Sequence, residues 1–215
     1  MKVLLINGSP RQNGNTHVAL AEAAKVLEAE GIEAQLEWIG KAPIRGCIGC
    51  GKCKEKGENR CIFNDDRCNA LIEKAAEADG YLIGSPVYYA GANGTLISLL
   101  DRMFYAGGSL MRFKPGAGIA VARRAGTTLT IDQINKYFQI NCMPVAPSTY
   151  WPMVHGRAEG EAVADAEGMR AVRNLARNLA WMMRSFKAAQ AEGIEHPDPE
   201  AGPTTNFIRE DLLGE

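Results

Sequence analysis

The chain has 215 residues, and its 24 Lys and Arg nearly balance 25 Asp and Glu, for a net charge of −1. That length suits one well-buried α/β domain with some chain left over. The charge balance argues against a nucleic-acid surface. No apolar run reaches the roughly 18 residues that would span a bilayer, and the opening apolar stretch is strand-length rather than a signal peptide. A cytoplasmic protein is expected, so the six cysteines point to metal, redox chemistry or buried thiols rather than structural disulfides.

Val3, Leu4, Leu5 and Ile6 form an apolar run that stops at Asn7-Gly8-Ser9-Pro10. A helical pattern starts at Thr16, with Val18, Leu20, Ala23, Ala24 and Leu27 on one face. A buried strand, a polar loop and a helix N-terminus thus follow in order. That arrangement aims backbone N–H groups and the positive end of a helix dipole at one spot. Ser9, Asn13, Asn15 and Thr16 add side-chain donors, and Arg11 adds a fixed charge. No acid precedes Glu22. Gly14 is followed by Asn15-Thr16, not by the Lys-Ser/Thr of a P-loop, and no G-x-G-x-x-G spacing is present. The loop therefore reads as a site for one mononucleotide phosphate. A plain helix cap would need one such polar residue rather than five.

Farther along, Glu33–Ile39 alternates as a second strand, and the cysteine-rich segment runs from Ile44 to Phe63. The pattern predicts a helix over Asp66–Ala78, a buried strand over Gly80–Gly84 and a helix over Asn93–Tyr105. A strand over Gly118–Ala122, a helix over Leu129–Asn141, an irregular last strand over Pro144–Tyr150 and a helix over Ala166–Ala191 complete the series. Strands alternating with helices imply a doubly wound, five-stranded parallel sheet covered on both faces, with ligands at the carboxyl ends of its strands. The expected organisation is one domain over residues 1–192 and a tail or arm over 193–215, where prolines and glycine interrupt any helix. Phe207, Ile208, Leu212 and Leu213 suggest that the tail packs on something.

Three loops lie at strand ends. Ser85-Pro86-Val87-Tyr88-Tyr89-Ala90-Gly91 sets two aromatics beside small residues, which suits a flat ring and close backbone approach. Joined to Leu99-Leu100-Asp101-Arg102 on the next helix, and to the first loop at its spacing, it resembles the flavodoxin-like, NADPH-dependent FMN reductase family over residues 1–185. The resemblance implies a three-layer fold and an FMN cofactor. Ser9, Arg11, Asn13, Asn15 and Thr16 would hold its phosphate and ribityl chain. Pro86, Val87, Tyr88, Tyr89, Ala90 and Gly91 would border the isoalloxazine, and Asp101 and Arg102 would be structural. The third loop, Ala122 to Thr128, includes Gly126 but departs from the family's glycine-rich pattern with Arg123 and Arg124. Those arginines would lie near flavin N1/O2 or meet an NADPH 2′-phosphate, or be solvated. Trp151–Gly156 would line the substrate side, with His155 structural.

Cys47-x2-Cys50-x2-Cys53-x7-Cys61 sits among Gly46, Gly49 and Gly51. Thiolates at three-residue steps can converge, and glycines free N–H groups to bond the sulfurs. The segment looks like the compact cysteine motif of the iron–sulfur flavoproteins, relatives in the same fold, which implies a [4Fe–4S] cluster. Zinc, or a loop without metal, are the alternatives. Cys68 and Cys142 fall in helical stretches and are expected to be buried thiols.

The expected function is an FMN-containing oxidoreductase that uses NAD(P)H to reduce flavin, quinone or a related small-molecule acceptor. The second reading is a carrier relaying electrons from a ferredoxin through FMN and a cluster, without pyridine nucleotide. A flavin-binding regulatory module is the third. A homo-oligomer, dimer or tetramer, is expected from the family, the apolar tail and Trp181-Met182-Met183 on the last helix.

Overall fold

A computed structural model of the chain describes residues 1–202 and gives six strands and six α-helices among them. In chain order these are β1 (Lys2–Asn7), α1 (Asn15–Ala29), β2 (Glu33–Trp38), α2 (Lys52–Lys56), α3 (Cys68–Glu77), β3 (Gly80–Tyr88), β4 (Gly91–Ala92), α4 (Gly94–Gly107), β5 (Gly116–Ala122), α5 (Thr127–Ile140), β6 (Met153–His155) and α6 (Ala166–Ala191). Five strands pair in parallel in the order β2-β1-β3-β5-β6, and β4 folds back antiparallel on the end of β3. The chain starts in the middle of the sheet, winds to one edge, then returns and winds to the other, as expected for a doubly wound fold.

The apolar runs explain the layers. Val3, Leu4, Leu5 and Ile6 are fully buried, since β1 has a neighbour on each side and helices on each face. Val3 and Leu5 join Leu20, Leu27, Val172 and Leu179 of α1 and α6 in one core layer. Leu4 and Ile6 join Leu71, Ile72, Leu99, Leu100 and Phe138 of α3, α4 and α5 in the other. Leu, Val and Ala recur along α6 at helical spacing, so nine of its residues are buried. Met183 is buried and Met182 packs on the core, but Trp181 stays 67% exposed. The stripe thus serves the sheet, and Trp181 alone of the three faces out.

Three expectations fail in instructive ways. The last strand is Met153–His155, not Pro144–Tyr150. Pro144 and Pro147 lack the N–H a ladder needs, so Val145 makes only an isolated bridge with Gly116 before the chain reaches the sheet edge. Cys142 is neither helical nor buried. It takes φ 56° just past α5, where its N–H bonds Gln139 O and Met143 N–H bonds Phe138 O. That is a Schellman closure with cysteine in the position glycine usually fills. The third is β3, which runs Gly80–Tyr88 rather than stopping at Gly84, so the expected loop is a hairpin with its turn at Tyr89-Ala90, described with the site. Cys68 is buried at the start of α3 as expected, and burial pushes its thiol up to about 12. The apolar tail residues Phe207, Ile208, Leu212 and Leu213 lie outside the described residues. No described helix is long and apolar enough to cross a membrane.

Asp165 anchors the edge strand to the last helix. Its carboxylate accepts from Gly168 N–H at 2.9 Å, capping α6, and from His155 N–H at 2.7 Å, with His155 Nδ1 at 3.3 Å. The His155 ring thus lies beside the carboxylate that caps α6. Burial raises the carboxyl's pKa, but these N–H bonds outweigh it and hold the group below the ordinary carboxylate value. The stabilisation is thus complete above the unfolded value of about 3.9 and is lost as pH falls through the lower folded value. Asp165→Ala is expected to cost about 1–2 kcal/mol at neutral pH, the range for a lost cap. The gap between variant and wild type in urea midpoint should close below about pH 4. Equal midpoints at neutral pH would contradict this role.

Candidate cofactor site

Loops after β1, β3 and β5 and the chain after β6 close around one cavity of about 200 Å³. It is lined by Ser9, Arg11, Asn15 and Thr16 from the first loop and by Pro86, Val87 and Tyr88 from the second. Arg123 and Arg157 complete its rim.

The first loop is held from within. Asn7 Oδ1 accepts from Ser9 N–H at 3.0 Å, and Ser9 Oγ accepts from Arg11 N–H at 3.1 Å. Trp38 Nε1–H reaches across from β2 to Ser9 O at 2.7 Å. The amides of Gln12, Asn13, Asn15 and Thr16 have no partner among the described residues, and no side chain caps α1. Four open N–H groups at a helix start form an anion cradle. Asn13 is exposed beside it. The Asn15 side chain is already engaged: Nδ2 donates to Ala158 O at 2.8 Å and Oδ1 accepts from Ala162 N–H at 3.1 Å. Asn15 therefore offers the cavity its backbone N–H, while its side chain ties the chain after β6 to the first loop.

Arg11, Arg123, Arg124 and Arg157 form no ion pair among the described residues. Three of them line the cavity, and Arg124 lies outside it. Arg11 and Arg123, unpaired, favour a dianion such as a phosphate monoester, while Arg157 has the Glu161 carboxylate beside it, accepting from the Arg157 and Ala158 N–H groups. Arg157 carries no sequence signal of its own, because a last strand over Pro144–Tyr150 would end well before it. Once β6 ends at His155, Arg157 is a strand-end residue like Arg123.

The second loop is a hairpin. Val87 pairs with Ala92 and Tyr88 with Gly91, leaving Tyr89-Ala90 as a two-residue turn. Both turn residues have positive φ, 49° and 61°, a conformation costly for residues with a Cβ. Asn-Gly would signal such a turn, and Tyr-Ala does not. The turn is supported from α5, where Gln133 Oε1 accepts from Ala92 N–H at 2.9 Å. Tyr89 is fully exposed and Tyr88 half exposed, so the two rings stand at the rim rather than in the core. A cavity of about 200 Å³ is smaller than the roughly 300–1,000 Å³ of pockets that enclose whole ligands. It suits a phosphate and sugar-like chain, with a flat ring lying outside against the turn.

Gly126 of the third loop lies under that turn. It has φ 88°, and a Cβ there would sit 2.7 Å from Ala90 Cα and 2.9 Å from Val87 Cγ1. A methyl group therefore strains its own backbone and displaces the hairpin. Gly126→Ala is expected to destabilise the fold by about 1–2 kcal/mol or more and to lower flavin content. Wild-type stability with wild-type flavin content would contradict this placement.

The four motif cysteines line a second cavity, on the α4 side of the sheet. Cys47, Cys50, Cys53 and Cys61 surround it with Ile48, Ile62, Phe63, Tyr105 and Arg102. Gly49 and Gly51, at φ 66° and 71°, turn the chain around it. Gly49 N–H points at Cys47 Sγ, 3.5 Å away, and Arg102 Nε–H at Cys61 Sγ, 3.2 Å away. Among the described residues no three His, Cys, Asp or Glu side chains are placed to share one ion. A single zinc would need donors about 2.3 Å from one point. The donor set itself, thiols with N–H bonds to sulfur and apolar walls, fits an iron–sulfur cluster. Asp101 and Arg102 part company: Asp101 accepts from Tyr137 Oη, while Arg102 turns inward to this cavity.

Residues 1–158 match the NADPH-dependent FMN reductase family. An iron–sulfur flavoprotein of Methanocaldococcus jannaschii is 36% identical over 196 residues, covering 87% of this chain and 100% of that one. A second from the same organism is 34% identical over 187 residues, covering 80% and 92%. The structure of RosB with its bound intermediate 8-demethyl-8-formylriboflavin-5′-phosphate shares the fold, at TM-score 0.68 and 17% identity over 100% of this chain and 98% of that one. The chain belongs to the NADPH-dependent FMN reductase family, close to its iron–sulfur flavoproteins, and is a flavin-binding oxidoreductase of flavodoxin-like fold.

Proposed function

We propose that the chain binds FMN at the strand-end cavity, takes electrons from NAD(P)H and delivers them to a small-molecule acceptor. The observation that carries the reading is the open amide cradle of the first loop beside Arg11, Arg123 and Arg157. It can neutralise one phosphate monoester, and the chain has no dinucleotide fingerprint for a second phosphate. Bound FMN supplies hydride acceptance at N5 and one- or two-electron release. The chain's own part is to orient and to tune. The strained Tyr88–Gly91 turn sets backbone groups at the ring edge, and Tyr88 and Tyr89 offer flat faces to it. Arg123 is available to favour negative charge on the reduced ring or to meet an NADPH 2′-phosphate. No side-chain acid or base is assigned, because hydride transfer asks for positioning.

A second reading has its own support. The four-cysteine cavity, with N–H donors on two sulfurs, suits a [4Fe–4S] cluster held by Cys47, Cys50, Cys53 and Cys61. The iron–sulfur flavoproteins among the relatives favour it too. With a cluster, the chain would relay electrons from a ferredoxin-type donor to its flavin. Self-association as a dimer or tetramer, and a cytoplasmic setting, belong to the same proposal. Exposed Tyr150, Trp151 and Trp181 support the former.

Arg11→Ala should weaken FMN binding by about 1.5–3 kcal/mol, as for a lost charge-assisted contact, measured by fluorescence titration of the flavin-free protein. Unchanged affinity would remove Arg11 from the phosphate site. Anaerobic purification should yield about four irons and four sulfides per chain if the cluster reading holds, and serine at any of the four cysteines should lower that number. Serine at Cys142 should leave it unchanged. An iron-free protein whose flavin band bleaches on NADPH addition would leave the reductase reading alone. A cluster-loaded protein that NADPH cannot bleach but reduced ferredoxin can would select the relay.

A further inference from the structure

Arg102 stands out among the charged residues. It projects from α4 with 1% of its surface exposed, and every arm of its guanidinium is engaged. Nε–H donates to Cys61 Sγ at 3.2 Å, one terminal nitrogen to Arg45 O at 3.2 Å and the other to Phe63 O at 3.3 Å. Its ion-pair partner is Asp66, which is also nearly buried and whose other oxygen accepts from Cys68 N–H at 3.0 Å. The Phe63 ring lies 5.3 Å from the guanidinium carbon.

Burying this pair carries a large desolvation penalty for each ion, and an apolar side chain of similar volume could fill the space. A purely structural anchor would be satisfied by Asp66 and two carbonyls. The remaining arm instead spends its N–H on a sulfur in the four-cysteine cavity. Arginine is always charged, so the bond brings a fixed positive charge to that sulfur. Hydrogen bonds to sulfur and local charge both set the potential of an iron–sulfur centre, because each offsets the negative charge gained on reduction.

We propose that Arg102 is a positioning residue for Cys61 that fixes this thiolate's direction and raises the reduction potential of a cluster in the cavity, with Asp66 partly cancelling its charge. This rests on the cluster reading above. The pair acts as a graded setting: the arginine favours the reduced state, and the aspartate limits how far.

The test uses full-length chain, purified anaerobically and reconstituted with ferrous iron and sulfide, then titrated with dithionite and redox mediators while electron paramagnetic resonance follows the reduced cluster. Iron and sulfide are assayed on every sample. In Arg102→Gln the ratio of reduced to oxidised cluster at a fixed potential should fall about tenfold, a downward shift of about 59 mV for one electron. Arg102→Lys keeps the charge and should fall less. Asp66→Asn keeps the acceptor for Cys68 N–H but removes the countercharge, so its ratio should rise severalfold. A structural role alone would not drive the two sites in opposite directions. Should Arg102→Gln fail to hold its cluster, the upward shift in Asp66→Asn and the smaller fall in Arg102→Lys decide the matter. Loaded wild type with unchanged ratios in these variants, or falling ratios in both, overturns the proposal and leaves the cluster reading intact. Wild type that takes up no iron overturns both.

Discussion

Two touching backbones set the position of everything functional in this protein. Gly8 N–H, just past β1, donates to Gly84 O in the middle of β3 at 2.8 Å. A Cβ on Gly8 would lie 2.6 Å from Leu96 of α4, and one on Gly84 would lie 2.9 Å from both Leu20 and the Thr16 methyl of α1. Helices on opposite faces therefore press on this contact, α4 against Gly8 and α1 against Gly84. Because each helix starts just beyond a strand end, this contact brings the open start of α1 and the Tyr89-Ala90 hairpin to one rim. A side chain at either glycine would push a helix away and separate the cradle from the turn.

Charge is sorted around that frame. Several acids elsewhere are paired: Glu37 with Arg67 and Lys74, Glu22 with Arg173, Glu30 with Arg184. The arginines at the strand ends have no such partners, so a chain of net charge −1 presents a positive site. Hydrogen bonds also connect this site to the cysteine segment. Trp38 donates to Ser9 O and accepts from Arg67, the neighbour of Asp66, which holds Arg102 against Cys61. The first loop and the sulfur cavity are thus parts of one bonded framework. That framework gives the strand-end cavity and the cysteine cavity fixed relative positions within a single subunit.

Much of this was legible in the residues. Apolar runs ending in polar loops marked β1, β3 and β5, because strands buried on both faces leave little room for polar residues. The acid-free run from Ser9 to Thr16 marked the anion cradle. The spaced cysteines marked the second cavity. Other features lacked a local signal. The Tyr89-Ala90 turn carries neither Asn nor Gly, since tertiary support from Gln133 and Gly126 replaces turn propensity. Cys142 closes a helix in the position where glycine is expected. The three-residue β6 is too short to show a period, and Arg157 went unnoticed with it. Arg102 could not be separated from Asp101, because a helix turns neighbouring side chains about 100° apart and only packing shows which one faces in.

The central claim is that the strand-end cradle holds a single flavin phosphate. The most direct test is to release the cofactor from the purified full-length chain and identify it by mass. The account predicts FMN, at about one per chain after reconstitution, since the cradle suits one phosphate and the sequence carries no dinucleotide fingerprint for a second. Recovery of FAD, or a chain that retains no flavin after reconstitution with FMN, would contradict it.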